Sequence, residues 1–204
     1  QGLIAGGKEA LTTAIEGAED SQELAILDLK SIELNENDVV CGIAASGRTP
    51  YVIGGLIYAK QKGCSTISIC CVHQGELSQY ADYPIEVIVG PEVVTGSTRM
   101  KSGTAQKLVL NMLSTTSMIK MGKVYGNLMV DVQPTNEKLR LRAINIVHQA
   151  IDIPEEDAKK LLKESHYNVK VAILRGLTGK TEEECLEALK NNNENISFAV
   201  KRLK

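Results

Sequence analysis

The 204-residue sequence has no tryptophan, one phenylalanine and six tyrosines. With so few aromatic rings it offers little on which bases could stack. Its 23 Lys and Arg against 25 Asp and Glu leave no surplus of positive charge for a phosphodiester backbone, so no nucleic-acid partner is expected. A run of about 20 apolar residues is missing too, which argues against a membrane-spanning helix. The opening Gln1-Gly-Leu-Ile-Ala-Gly-Gly7 lacks the basic segment that begins a secretory signal. The five cysteines, Cys41, Cys64, Cys70, Cys71 and Cys185, contain no C-x-x-C pair and keep no metal-ligand spacing with His73, His148 or His166. Four of them fall in or beside apolar segments, as reduced core thiols of a cytoplasmic protein do. No G-x-G-x-x-G follows a strand-like run, so a dinucleotide site is unsupported. An initiator methionine is also lacking, which suggests a fragment or a processed chain.

What is present is an alternation of short apolar runs with helical patterns, in a chain that is 43% hydrophobic. Leu3-Ile-Ala5 reads as a short strand, followed by a helix over Lys8–Ser21 and another over Glu23–Lys30. Val39–Ala44 is a strand, Pro50–Lys62 a helix and Ser65–Val72 a β-branched strand. Tyr83–Val89 is a further strand, placed near an edge by Pro84. This rhythm predicts an α/β fold with a doubly wound parallel sheet flanked by helices. A polar loop rich in Gly, Ser and Thr over Gly90–Thr104 precedes an apolar helix, Ala105–Met121, broad enough in its apolar surface for burial in the core or in a subunit interface. Asn136–Ala150 reads as a second long helix. Beyond Asp152-Ile-Pro154 the pattern becomes a small helical subdomain: Glu155–Glu164, Asn168–Leu177, Thr181–Lys190 with the capping box Thr181-x-x-Glu184, and Ile196–Leu203. The division expected is therefore 1–150 and 151–204.

The stretch Gly42-Ile-Ala-Ala-Ser-Gly-Arg-Thr-Pro50 carries the clearest chemical signal. It joins a buried strand to a helix with apolar residues at Val52, Ile53, Leu56 and Ile57. Thr49 is the N-cap and Pro50 the first helical residue, since proline lacks the N–H that would be unpaired there. The turn Ser46-Gly47-Arg48-Thr49 thus meets free amides and the positive end of a helix dipole, a place that attracts an anion. The competing reading is a turn whose hydroxyls only cap the helix. Gly2-x-x-x-x-Gly7-Lys8 imitates a P-loop, but Glu9 stands where the Ser or Thr of a magnesium site belongs, and no NTPase is expected. The cluster Glu16-Gly-Ala-Glu19-Asp20 reads locally as a solvated acidic face, with Gly17 out of place inside a helix. Arg99 and Lys101 in the long loop have two readings, cations that neutralise a bound anion or, the favoured one, ordinary surface cations.

Together, "GLIAGGKEAL", "EGAED", "GIAASGRTPYV", "GPEVVTGSTRMKSGTAQKLVLNM" and "GNLMVDVQPTNEKL" resemble the N-acetylmuramic acid 6-phosphate etherases, sugar-isomerase-type (SIS) α/β proteins related to glucokinase regulatory protein. The resemblance covers the whole chain and is weakest in the helical tail. It implies cofactor-free cleavage of the D-lactyl ether of a sugar phosphate, by elimination and then hydration, with no metal. It assigns proton transfer to Glu19, as base, acid or both in turn, and the 6-phosphate to Ser46, the Gly47 backbone and Thr49. A hydroxyl residue common in SIS relatives is replaced by Ala44. It further implies a homodimer and a second catalytic carboxylate in an N-terminal portion of the family that has no counterpart here. Two alternatives accompany it. One is a non-catalytic sugar-phosphate-binding regulator. The other is an inactive or poorly soluble piece whose sheet, deprived of a strand, exposes an apolar edge.

Overall fold

The β-branched and apolar runs become a parallel sheet in the order β1-β2-β3, formed by β1 (Val39–Ile43), β2 (Ser65–Cys70) and β3 (Tyr83–Glu86). In the computed structural model, which describes all 204 residues, Cys41 pairs with Ile67 and Ser68 with both Gly42 and Pro84. Pro84 lies in β3 at an edge of the sheet, where its missing N–H costs no ladder bond. Helix α1 (Gln22–Ser31) starts on Ser21, whose hydroxyl accepts the Leu24 amide, and α2 (Pro50–Gln61) follows the turn after β1. Ile53 and Leu56 of α2 are buried with Ala44, Cys70 and Leu77 in the core beside the sheet. At the sheet's margin, Asp82 accepts the amide and hydroxyl of the buried Thr66, and the hydroxyl in turn accepts the Asp82 amide.

The start of the chain departs from the sequence pattern. Leu3-Ile-Ala5 forms no strand, and the expected helix over Lys8–Ser21 is replaced by two short 3₁₀ turns, Gly7–Leu11 and Ala18–Asp20. The apolar spacing of Leu11 and Ile15 suggested a helix, yet both are exposed, so no packed face stabilises one. Gly17 interrupts it at φ +74, a left-handed value that glycine adopts without strain. Nothing lies within 4 Å of where its Cβ would be, so this glycine serves the backbone conformation rather than a close approach.

Helix α3 (Lys101–Lys120) begins four residues before the expected position and buries only Ser102 and Val109. Leu108, Met112 and Ile119 are about half exposed, so the expectation of core burial is not met within this chain. The residues that follow make a small antiparallel hairpin, β4 (Val124–Tyr125) with β5 (Leu128–Met129), its strands too short to show a periodic pattern in the sequence.

Two compact units result, Gln1–Asn111 and Met112–Lys204. The second has its own apolar core, to which α4 (Glu137–Ile151), α5 (Glu155–Glu164), α6 (Val169–Thr178), α7 (Glu182–Lys190) and α8 (Ile196–Leu203) all contribute. Three of its helices, α4, α6 and α8, start on a capping asparagine: Asn136, Asn168 and Asn195 each accept an amide three residues on. The Thr181–Glu184 capping box forms as the sequence indicates. All five cysteines are free and four are buried. Burial pushes the Cys41, Cys64, Cys71 and Cys185 thiols up, away from the reactive thiolate. No helix is long and apolar enough to cross a membrane.

Candidate functional site

The turn after β1 is built largely from backbone. Ala44 donates to the Ile69 carbonyl at 3.1 Å, Cys71 donates to Ala45 at 3.0 Å, and the Gly47 amide closes the turn on Ala44 at 3.0 Å. Gly47 holds φ +71 and is buried. A Cβ there would lie 2.8 Å from Gly75 Cα and 2.9 Å from a Val72 methyl, so only glycine fits. The Leu77 amide donates to the Gly47 carbonyl at 2.9 Å, fastening the turn to the segment that follows β2.

Thr49 is the N-cap of α2 and Pro50 its first residue, as the sequence indicates. The Thr49 carbonyl accepts the Ile53 amide, but its hydroxyl makes no capping bond. The Ser46 hydroxyl, on an exposed residue, has no protein partner either. The Gly47 amide is already engaged, so the donors left for an anion are these two hydroxyls and the amides of Ser46, Arg48 and Thr49 together with the first turn of α2. This differs from a pure capping turn, in which the Thr49 hydroxyl would be consumed by the helix.

Glu19 sits in the 3₁₀ turn Ala18–Asp20, exposed, with no protein group bonded to its carboxylate. That turn packs on α2, with Ala18 buried beneath it. The chain then enters α1, whose first residue lies almost against the α2 backbone. A Cβ on Gly54 would come within 2.7 Å of the Gln22 Cα and carbonyl oxygen. The phosphate-type turn and the Glu19 turn therefore both adjoin one helix, α2. Glu16 and Asp20 are exposed as well.

Three features escaped the sequence. Glu92 caps α3 from across its loop, accepting the Lys101 and Ser102 amides at 3.0 Å each, and the Lys101 amide chiefly holds its carboxyl below the usual range. Glu86 accepts the Ser78 hydroxyl and the Gln74 and Gly75 amides, and the hydroxyl is the main cause of its lowered pKa. Gly75 backs Gly47. Each pairing joins residues eight or more positions apart, so local spacing carries no sign of it. Arg99 donates to Ser97 in the loop, and Lys101, the first residue of α3, donates to the Pro91 carbonyl. The residues of the P-loop imitation form no strand and no helix of that motif. No three His, Cys, Asp or Glu side chains gather in a metal-binding arrangement.

Comparison with known proteins adds an independent observation. Residues 1–60 match the family described as glucokinase regulatory protein N-terminal SIS domain, and residues 126–193 match the C-terminal lid domain of glucokinase regulatory protein. Over 203 residues the chain is 57% identical to the N-acetylmuramic acid 6-phosphate etherase of Clostridium botulinum (strain Eklund 17B / Type B), covering 100% of this chain and 67% of that protein. It is 58% identical to the enzyme of the same name from Exiguobacterium sp. (strain ATCC BAA-1283 / AT1b), over 98% of this chain and 68% of the relative. The etherase of Staphylococcus aureus (strain USA300) is 52% identical, over 98% and 67% respectively. The chain thus spans about two thirds of these relatives' length.

Proposed function

Because the chain belongs to the N-acetylmuramic acid 6-phosphate etherase family, we propose that it cleaves the D-lactyl ether of N-acetylmuramic acid 6-phosphate, yielding N-acetylglucosamine 6-phosphate and D-lactate. The reaction is a carbon–oxygen lyase step followed by addition of water. Opening of the pyranose exposes an aldehyde that acidifies the C2 proton. A carboxylate removes that proton, lactate leaves from C3, and water adds to the unsaturated aldehyde, so the products differ from the substrate by one water.

Ser46 and Thr49 donate hydroxyls to the 6-phosphate, and Gly47 lets the backbone approach it. The unpaired amides at the start of α2 supply the partial positive charge. Glu19 is the proton-transfer carboxylate, a role in which a positioned acid–base group contributes on the order of 10²–10⁴-fold. The observation that supports this reading most is the Thr49 hydroxyl. It occupies a capping position without capping, on the helix against which the Glu19 turn packs. In the cell we place the protein in the cytoplasm, as a homodimer joined in part through the exposed apolar residues of α3.

Incubating the full-length protein with N-acetylmuramic acid 6-phosphate and assaying D-lactate enzymatically tests the proposal. Stoichiometric release of lactate and N-acetylglucosamine 6-phosphate is expected. Tight sugar-phosphate binding without lactate release would instead favour a regulator of the glucokinase regulatory type.

A further inference from the structure

One carboxylate gathers an entire loop. Glu86, the last residue of β3, accepts the Gln74 amide at 2.9 Å on one oxygen, and the Gly75 amide at 3.1 Å and the Ser78 hydroxyl at 2.7 Å on the other. His73 Nδ1 stands 3.6 Å from it. The loop so held is not relaxed. Gln74 sits at φ +52, a left-handed value that a residue with a side chain adopts only when its surroundings impose it. Gly75 is pressed into place, because a Cβ there would be 2.7 Å from Cys70 Sγ and 3.2 Å from Gly47 Cα.

The other side of this loop is the bed of the Ser46–Thr49 turn. Gly47 has backbone contact with Gly75, and its carbonyl is held by the Leu77 amide. The turn has no side-chain bond of its own to fix the Ser46 and Thr49 hydroxyls, so its shape depends on the wall behind it.

We propose that Glu86 is a positioning residue for substrate binding, holding the 74–78 loop so that Gly75 fixes Gly47 and with it the phosphate-binding turn. The inference rests on the reading of Ser46, Gly47 and Thr49 as the phosphate site. Without the carboxylate the Gln74 and Gly75 amides lose their acceptor, Gln74 is released from its left-handed conformation, and the wall behind Gly47 recedes. Binding is affected rather than chemistry, because Glu19 is carried by a different segment packed on α2.

The test compares Glu86→Ala, Glu86→Gln and Ser78→Ala with the double variant Ser46→Ala/Thr49→Val in the full-length protein. KM and kcat are measured on N-acetylmuramic acid 6-phosphate, and Kd by calorimetry with N-acetylglucosamine 6-phosphate. Glu86→Ala is expected to raise KM and Kd about tenfold, a modest free-energy change, while kcat stays within about twofold. Glu86→Gln keeps one acceptor oxygen and should recover part of the affinity. Amide hydrogen exchange over residues 44–49 should quicken in Glu86→Ala while the α6 and α7 amides are unchanged. Should Glu86→Ala fail to fold, Ser78→Ala and Glu86→Gln decide, with a rise in KM of about twofold or more upholding the proposal. Unchanged KM and Kd in every folded Glu86 and Ser78 variant, with weakened binding in the Ser46/Thr49 double variant, overturns the proposal and leaves the phosphate site standing. Unchanged binding in the double variant overturns the site and the proposal together. A fall in kcat at constant KM also overturns the proposal.

Discussion

The Tyr51 hydroxyl lies 2.6 Å from a carboxylate oxygen of Asp28, joining the first turn of α2 to the middle of α1. Burial, and next the bond to Asp28, push the Tyr51 pKa well above its usual value. Since the folded state favours the protonated phenol, this stabilisation is present below the unfolded pKa of about 10 and is lost as pH rises from there towards the folded value. One of the six tyrosines should thus titrate late in an alkaline absorbance titration. Tyr51→Phe should cost about 1–2 kcal/mol in urea denaturation and remove that late component.

Glu19→Gln should lower D-lactate release by the full-length protein on the order of 10²–10⁴-fold, the contribution of a positioned proton-transfer group. The side chain is exposed and bonded to nothing, so the melting temperature should not move. A variant that kept full turnover would remove Glu19 from the catalytic role.

Gly47→Ala should damage both fold and binding. The left-handed conformation costs a residue with a Cβ about 1–2 kcal/mol, and the methyl would sit 2.8 Å from a backbone carbon of Gly75 that cannot rotate aside. Thermal melting and sugar-phosphate calorimetry should fall together. An Ala variant with unchanged affinity would show that the turn does not need this geometry.

Ser68 and Thr66 share a buried face of β2 but differ in their partners. The Ser68 hydroxyl has none, whereas Thr66 is engaged with Asp82. Ser68→Ala should therefore leave stability unchanged or raise it by about 1 kcal/mol, while Thr66→Ala should lower it by about 1–3 kcal/mol. Equilibrium denaturation of the two variants side by side checks the contrast.

Acid should loosen the first unit before the second. The Thr66 hydroxyl lowers the pKa of Asp82, the Ser78 hydroxyl that of Glu86 and the Lys101 amide that of Glu92, all in the first unit. In the second, the Thr181 amide does so for Glu184. Each carboxylate contributes stability above its unfolded pKa of about 4 and loses it as pH falls through the lower folded value. Backbone amide signals followed by NMR from pH 6 downward should disappear first from residues of the sheet.

The sequence was most legible where the determinants are local. The boundaries of α5 and α8, the Thr181 capping box and the Thr49–Pro50 start of α2 all rest on residues within four positions of each other. It misled at Lys8–Ser21, where Leu11 and Ile15 keep helical spacing but neither is buried in a core, and propensity alone does not hold a short helix. The candidate site divides in the same way. Ser46, Gly47 and Thr49 stand together in the sequence, while the Glu86 and Gly75 supports exist only once β3 has paired with β2.

At Gly54 the main chain of α2 lies against the Cα, Cβ and carbonyl oxygen of Gln22 at the start of α1. The reach from Glu19 to the turn at the head of α2 is therefore gauged by peptide backbone and not by rotamers. The outer surface of α1 is free to drift over evolutionary time without detuning that interval, whereas a single methyl at Gly54 would prise the pair apart from the inside.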